Sequence, residues 1–303
     1  MSAESAFIDL LRSFGTHPAA RGLLDDAAVL EIGGETLVLT HDMIVEGVHY
    51  LPGDPPADVA WKLVAVNLSD LAAKGARPLG VLLGFTLGDE AWDKAFAEGL
   101  ATALTAFDLP LLGGDTVSAP ARVLGLTAIG RAAGPVPSRG GARPGDMLWV
   151  SGTIGDAGAG LHAAKGEIDA PQTIERYRNP RPRLEAGERL ATLVTAMTDV
   201  SDGLLIDASR MAAASACAVE IELDAIPLSQ ALPATRLEAA TAGDDYELLF
   251  AAAPDRAAGL LALAEEIGLP FSRIGRFEAG AGLALSDRGA AVPLPARLGF
   301  EHG

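Results

Sequence analysis

Residues 133–146 read AGPVPSRGGARPGD, a stretch rich in Gly, Pro and Arg with little apolar content. Such a composition cannot supply a buried helix face or strand, so it marks a linker or domain boundary. On either side of it the pattern becomes regular. Upstream, Gly34–Thr40 and Leu79–Leu87 read as strands, and Ala57–Lys74 and Ala91–Phe107 carry apolar residues at helical spacing. Pro110–Leu112 leads into Gly113-Gly114-Asp115, and Arg122–Ile129 reads as another strand. Downstream, Met147–Val150, Ala218–Leu223 and Tyr246–Ala252 read as strands, and Ile274–Phe277 opens a last strand pair. Leu184–Leu193, Gly203–Ala216 and Arg256–Gly268 read as helices, as does a segment beginning near Leu161. The expectation is a chain of α/β (α+β) class: two mixed α/β domains, residues 1–135 and 136–303. Ala225–Ala242, alanine-rich and broken by proline, gives no clear pattern.

The chain has 303 residues, with 40 Asp+Glu against 23 Lys+Arg and a formal net charge of −17. Phosphate-backbone recognition needs a dense basic face, and no Lys/Arg cluster provides one, so nucleic acid is not expected as a partner. No run approaches the roughly 18 apolar residues of a membrane span, and the start, MSAESAFIDLLRSF, has amphipathic spacing without the basic and apolar regions of a secretion signal. The single cysteine, Cys217, permits no intrachain disulfide, which fits a reducing compartment and a cytoplasmic location. An acidic protein can bind small phosphates when divalent cations bridge the two sets of negative charge.

The aspartates are placed to do this. Asp26 precedes AAVLEI, Asp42 follows TLVLT, Asp70 lies in AVNLSDLAAKG, Asp115 follows LPLLGG, and Asp199 and Asp202 lie in TDVSDG. Each stands at a strand end, a helix end or a glycine turn, from which distant segments can converge on one ligand. Taken singly, Asp115 could be a turn residue and Asp202 a helix cap. Together they favour a magnesium site, because Mg²⁺ prefers carboxylate, water and phosphate oxygens. No P-loop motif or protein-kinase signature occurs. Gly158-Ala159-Gly160-Leu161-His162-Ala163 matches a dinucleotide pattern but no acidic strand end follows, so its glycines read as a strand-to-helix turn. The histidines show no zinc spacing.

These pieces also form an ordered set. Gly22-Leu23-Leu24-Asp25-Asp26, Thr40-His41-Asp42, Glu46-Gly47-Val48-His49-Tyr50, Asn67-Leu68-Ser69-Asp70-Leu71-Ala72-Ala73-Lys74-Gly75, Gly113-Gly114-Asp115-Thr116, Asp199-Val200-Ser201-Asp202-Gly203 and Gly243-Asp244-Asp245-Tyr246-Glu247-Leu248 resemble thiamine-monophosphate kinases over nearly the whole chain. The resemblance implies phosphorylation of thiamine monophosphate by ATP, with several Mg²⁺ ions. It also implies a homodimer in which two N-terminal sheets pair into a barrel-like interface near the ATP. It assigns metal contact to Asp26, Thr40, His41, Asp42, Asp70, Asp115, Asp199 and Asp202. It assigns ATP contact to Phe107, Gly114, Asp115, Arg139 and Ser201, and thiamine monophosphate contact to His49, Asp244 and Phe300. Four features depart from the family: His41 stands where Ser or Thr is usual, Asp244 where Glu is usual, Phe300 where Tyr or Trp is usual, and Gly22-Leu23-Leu24-Asp25-Asp26 lacks the usual Gly directly before the first Asp. The alternatives are another ATP-using member of the superfamily or a non-catalytic protein that binds nucleotides or thiamine phosphate.

Overall fold

The computed structural model describes residues 3–230, 232 and 234–301. An amphipathic helix α1 (Ala3–Arg12) leads through a short 3₁₀ segment into the first sheet. The elements of that half are β1 (Ala28–Ile32), β2 (Glu35–Val45), α2 (Pro56–Ala73), β3 (Arg77–Leu87), α3 (Glu90–Ala106), β4 (Leu111–Ser118) and β5 (Val123–Ala132). The strands form a five-stranded sheet in the order β1-β2-β5-β3-β4. Only β3 and β4 pair in parallel, joined by the helical crossover such a pair requires.

Helix α2 explains why the first half folds as it does. From Val59 to Ala73 every residue is buried except the half-buried Trp61. A helix apolar on nearly all sides must be covered on nearly all sides. One side packs on the sheet in a cluster containing Val38, Leu63, Val81 and Leu126. Its last turn, Ala72 and Ala73, belongs instead to a cluster with Leu190, Met197, Leu248 and Phe250 of the second half. Small residues permit this approach: a Cβ on Gly187 would lie 2.0 Å from the Ala72 carbonyl oxygen.

The second half comprises β6 (Met147–Ser151), α4 (Asp156–Ala164), α5 (Ile174–Arg178), α6 (Leu184–Leu190), β7 (Ala196–Asp199), α7 (Leu204–Ala214), β8 (Ala218–Glu222), α8 (Arg236–Thr241), β9 (Leu248–Ala252), α9 (Ala257–Ile267), β10 (Phe271–Glu278), β11 (Gly282–Asp287) and β12 (Ala290–Val292). Its seven-stranded sheet runs β12-β11-β8-β10-β6-β9-β7. The architecture is mixed α/β with two sheets, as the sequence pattern indicates, and among the described residues no helix is long and apolar enough to cross a membrane.

Several local readings change. Strand β2 runs on to Val45 and β4 spans Leu111–Ser118, so Asp42 and Asp115 stand inside strands rather than at a strand end and a glycine turn. Helix α4 begins at Asp156 rather than near Leu161, so Gly158 and Gly160 lie inside it. Their role is close packing: added Cβ atoms would lie 2.4 Å from the Ala242 Cβ and 2.3 Å from the Thr173 carbonyl oxygen. Gly155, at φ 90°, makes the turn. The unpatterned 225–242 segment contains the short helix α8, started by a Thr235/Glu238 capping box.

Candidate active site

The two halves meet at a group of aspartates. Strand alternation turns Thr40 and Asp42 of β2 inward and His41 outward. On α2, Asn67, Asp70 and Lys74 follow one another at spacings of three and four residues and share a face. Strand β7 ends at Asp199, and the tight turn beyond it carries Asp202 into α7. Asp26, Asp70 and Asp199 each bring a carboxylate oxygen within 4.8 Å of the others.

Hydrogen bonds hold this geometry. Thr40 donates to Asp70 and, at 3.3 Å, to the Asp26 carbonyl. Ser69 donates to Asp199 at 2.5 Å, and Thr198 to Asp26 at 3.0 Å. Asn67 accepts the Asp42 backbone N–H at 2.9 Å. Lys74, fully buried, lies between Asp25 and Asp26, 2.8 Å from the latter, and donates to the Met197 carbonyl at 3.2 Å. Arg139 pairs with Asp26, and Arg210 pairs with Asp202 and with the buried Asp207. Asp207 in turn accepts the backbone N–H groups of Asp202 and Gly203, at 3.1 and 3.2 Å.

The electrostatics separate two kinds of carboxyl. Burial alone would raise Asp26, but the Arg139 and Lys74 charges outweigh it and hold the group well below the usual carboxylate range. Burial and the neighbouring charges of Asp42, Asp199 and Asp26 push Asp70 well above that range. Asp199 is raised by burial and by Asp26. Asp42 is pushed up to about 6 by burial, Asp26 and Asp202, and Asp207 to about 7 by burial and Asp202. Negative charge here exceeds what Lys74, Arg139 and Arg210 offset. An all-oxygen donor set with that excess fits a hard divalent cation such as Mg²⁺.

Other expected site residues lie nearby or apart. The 199–202 turn is joined to the 244–246 loop: Ser201 O accepts the Asp244 N–H and Val200 O the Tyr246 N–H, both at 2.8 Å. Phe300 donates its backbone N–H to the Asp202 carbonyl at 2.9 Å, which ties the backbone there to that turn. His49 accepts the Val45 N–H on Nδ1 at 3.0 Å. The ring of His41 is exposed on the outward face of the sheet, where its Nδ1 lies 2.8 Å from the Thr127 hydroxyl of the paired strand. Asp115 and Gly114 stand on the exposed strand β4, apart from the Asp26–Asp70–Asp199 group. Gly114 is needed there, because a Cβ would lie 1.9 Å from the Leu83 carbonyl oxygen. Phe107 lies against Trp61, with ring centroids 5.0 Å apart, and both line a cavity of about 490 Å³ with Glu175, Asn179, Arg181 and Pro182.

Sequence reasoning assigned no role to Lys62, Lys74, Asp207 or Arg210. The signal for the lysines was present: Lys62 interrupts an otherwise apolar run, WKLVAV, in a helix buried all round. A lysine there must have a fixed partner.

Two mixed α/β halves, each with its own sheet, and aspartates converging from both define a class of protein, and the family models agree. Residues 24–132 match the N-terminal domain, and residues 143–288 the C-terminal domain, of AIR synthase related proteins. Within that class the similarity is specific. Thiamine-monophosphate kinase of Caulobacter vibrioides is 43% identical over 304 residues, covering 94% of this chain and 86% of the relative. The crystal structure of thiamine-monophosphate kinase from Stenotrophomonas maltophilia matches with a TM-score of 0.79 at 38% identity, covering 95% of this chain and 96% of that one. The structure of AaThiL complexed with AMPPCP and TMP matches with a TM-score of 0.86 at 28% identity, covering 99% of both chains. The chain belongs to the thiamine-monophosphate kinase family.

Proposed function

We propose that this protein transfers the terminal phosphoryl group of ATP to the phosphate of thiamine monophosphate, giving ADP and thiamine diphosphate. The observation that carries the reading is the convergence of Asp26, Asp70 and Asp199 from three segments of both halves. It is joined by the relationship to kinases whose structure has been solved with AMPPCP and TMP. The acceptor needs no strong base, since the second phosphate pKa of about 6 leaves the monoester mostly ionised at neutral pH. What the chain must supply is alignment and charge neutralisation.

Asp26, Asp42, Asp70, Asp199 and Asp202, with Thr40, would hold Mg²⁺, which supplies neutralisation of the polyphosphate charge and a template for in-line transfer. Arg139, buried against Asp26, is positioned to exchange that partner for an ATP phosphate. Ser201 and Phe107 are proposed as further ATP contacts, and His49, Asp244 and Phe300 as contacts of the acceptor. We further propose that the chain divides near residues 135/136 and acts as a homodimer through the N-terminal sheet. Strand β4 is exposed along its whole length, and Leu79, Leu82, Leu111, Leu112 and Val117 present an apolar outward surface. Gly114 and Asp115 lie on that surface, so their contacts with ATP or metal would be made at the subunit interface, with His41 on the same sheet.

The test is to incubate purified protein with ATP, Mg²⁺ and thiamine monophosphate, omitting each in turn, and to separate the products by chromatography. ADP and thiamine diphosphate should form in equal amounts and only in the complete mixture. ADP without thiamine diphosphate overturns the acceptor assignment.

A further inference from the structure

Lys62 is among the largest fully buried side chains, with 2% of it exposed. Placing an ammonium group there costs solvation that only fixed partners offset. Its Nζ donates to the His49 carbonyl at 2.9 Å and to Asp244 Oδ2 at 2.8 Å, and lies 4.1 Å from the centroid of the Tyr177 ring. Two hydrogen bonds and the π face of Tyr177 hold the ammonium group. With 2% of its side chain exposed, Lys62 is enclosed by these partners instead of facing open solvent. Its partners come from three separate segments: the loop after β2, helix α5 and the loop before β9.

The Asp244 end of this contact is conformationally demanding. Its backbone lies in the left-handed region at φ 69°, which a non-glycine residue keeps only when its surroundings hold it. The Ser201 carbonyl fixes its N–H, the Tyr246 hydroxyl donates to Oδ1 at 3.2 Å, and Lys62 takes Oδ2. The carboxylate is still 26% exposed, so it retains lone pairs facing outward. Paired with an ammonium, it can accept a hydrogen bond from an amino group without presenting a bare negative charge to an incoming phosphate ester.

We propose that Lys62 is a positioning residue for the acceptor. It fixes the Asp244 carboxylate and the His49 loop as two walls of a pocket for an amino-bearing heteroaromatic phosphate monoester, without touching that molecule itself. The inference rests on the function proposed above, with Asp244 and His49 on the acceptor side.

A double-mutant cycle on the full-length protein tests it, using K62M, D244N and the double variant, with thiamine monophosphate and ATP each titrated and Tm recorded. K62M should raise KM for thiamine monophosphate by about tenfold or more, since it strands one member of a buried charge pair. KM for ATP should stay within about twofold, as for a change remote from that ligand. If Lys62 acts through Asp244, the double variant should be no worse than the poorer single variant. Additive effects, an equal rise in KM for ATP, or an unchanged KM for thiamine monophosphate in folded K62M would each overturn the proposal. Should K62M not fold, K62Q, which keeps two N–H donors without the charge, enters the same cycle with the same expectations. Active wild-type protein with an unresponsive cycle sinks this inference alone. Wild-type protein that makes no thiamine diphosphate sinks the functional reading and this inference with it.

Discussion

The two sheets are finished differently. In the second half, β9 and β7 are buried at every position, and β6 at all but Met147. In the first half, α2 and α3 are matched by a sheet whose strand β4 is exposed at every position. Buried apolar strands are complete within the chain, whereas an open edge with outward leucines offers itself to another surface. The carboxylates nevertheless come from both: Asp42 and Asp70 from the open half, Asp199 and Asp202 from the closed one. The proposed metal ligands thus come both from a half whose sheet ends in an exposed strand and from a half whose strands β6, β7 and β9 are buried.

If both halves are equally necessary, Asp42→Ala and Asp202→Ala should each lower kcat by at least about 100-fold with little loss of Tm. Steady-state kinetics and thermal melts check this. A large loss from one and near-wild-type turnover from the other would assign the metal to a single half. Next in size, Leu112→Glu should turn the proposed dimer into a monomer by light scattering and cost activity, because a charge would be placed among the exposed apolar residues of the edge strand β4. A dimer that survives would move the interface elsewhere.

A subtler contrast is with pH. Asp42 and Asp207 have folded-state values raised from 3.8 to about 6 and about 7. Between those limits the folded protein binds more protons than the unfolded one, so stability of the metal-free protein should fall as pH rises through this window. Asp26, whose pKa is lowered, contributes its change below the window. Mg²⁺ should therefore raise Tm more at pH 8 than at pH 5, measured against EDTA controls. Equal shifts at both values would mean that the raised carboxyls do not hold the ion. The smallest expected effect is His41→Ser, within about twofold in kcat, as for an outward-facing side chain. A larger loss would show that the imidazole reaches the site.

Much of this was legible in the sequence because the signals were local. The apolar patterns announced mixed α and β elements on both sides of residues 133–146, and the aspartates beside those patterns were visible, though Asp42 proves to lie inside β2, which continues to Val45. What was hidden depended on distance along the chain. Nothing in WKLVAV says that Lys62 meets Asp244, 182 residues away. Nor does the 158–163 pattern reveal that its glycines make room for Ala242 and Thr173 instead of turning a loop. His41 is a subtler case: its neighbours suggest a ligand, while the period of two along β2 sends its ring to the other side.

Helix α2 carries one consequence into the order of synthesis. Its last turn, with Ala72, Ala73 and the buried Lys74, is made well before Leu190, Met197, Leu248 and Phe250, the residues that cover it. A nascent chain holding only the first half can pair Lys74 with Asp25 and Asp26 but leaves the apolar end of the helix without its cover. The cover of that helix end belongs to the second half, so apolar surface is expected to stay open there until those residues are made.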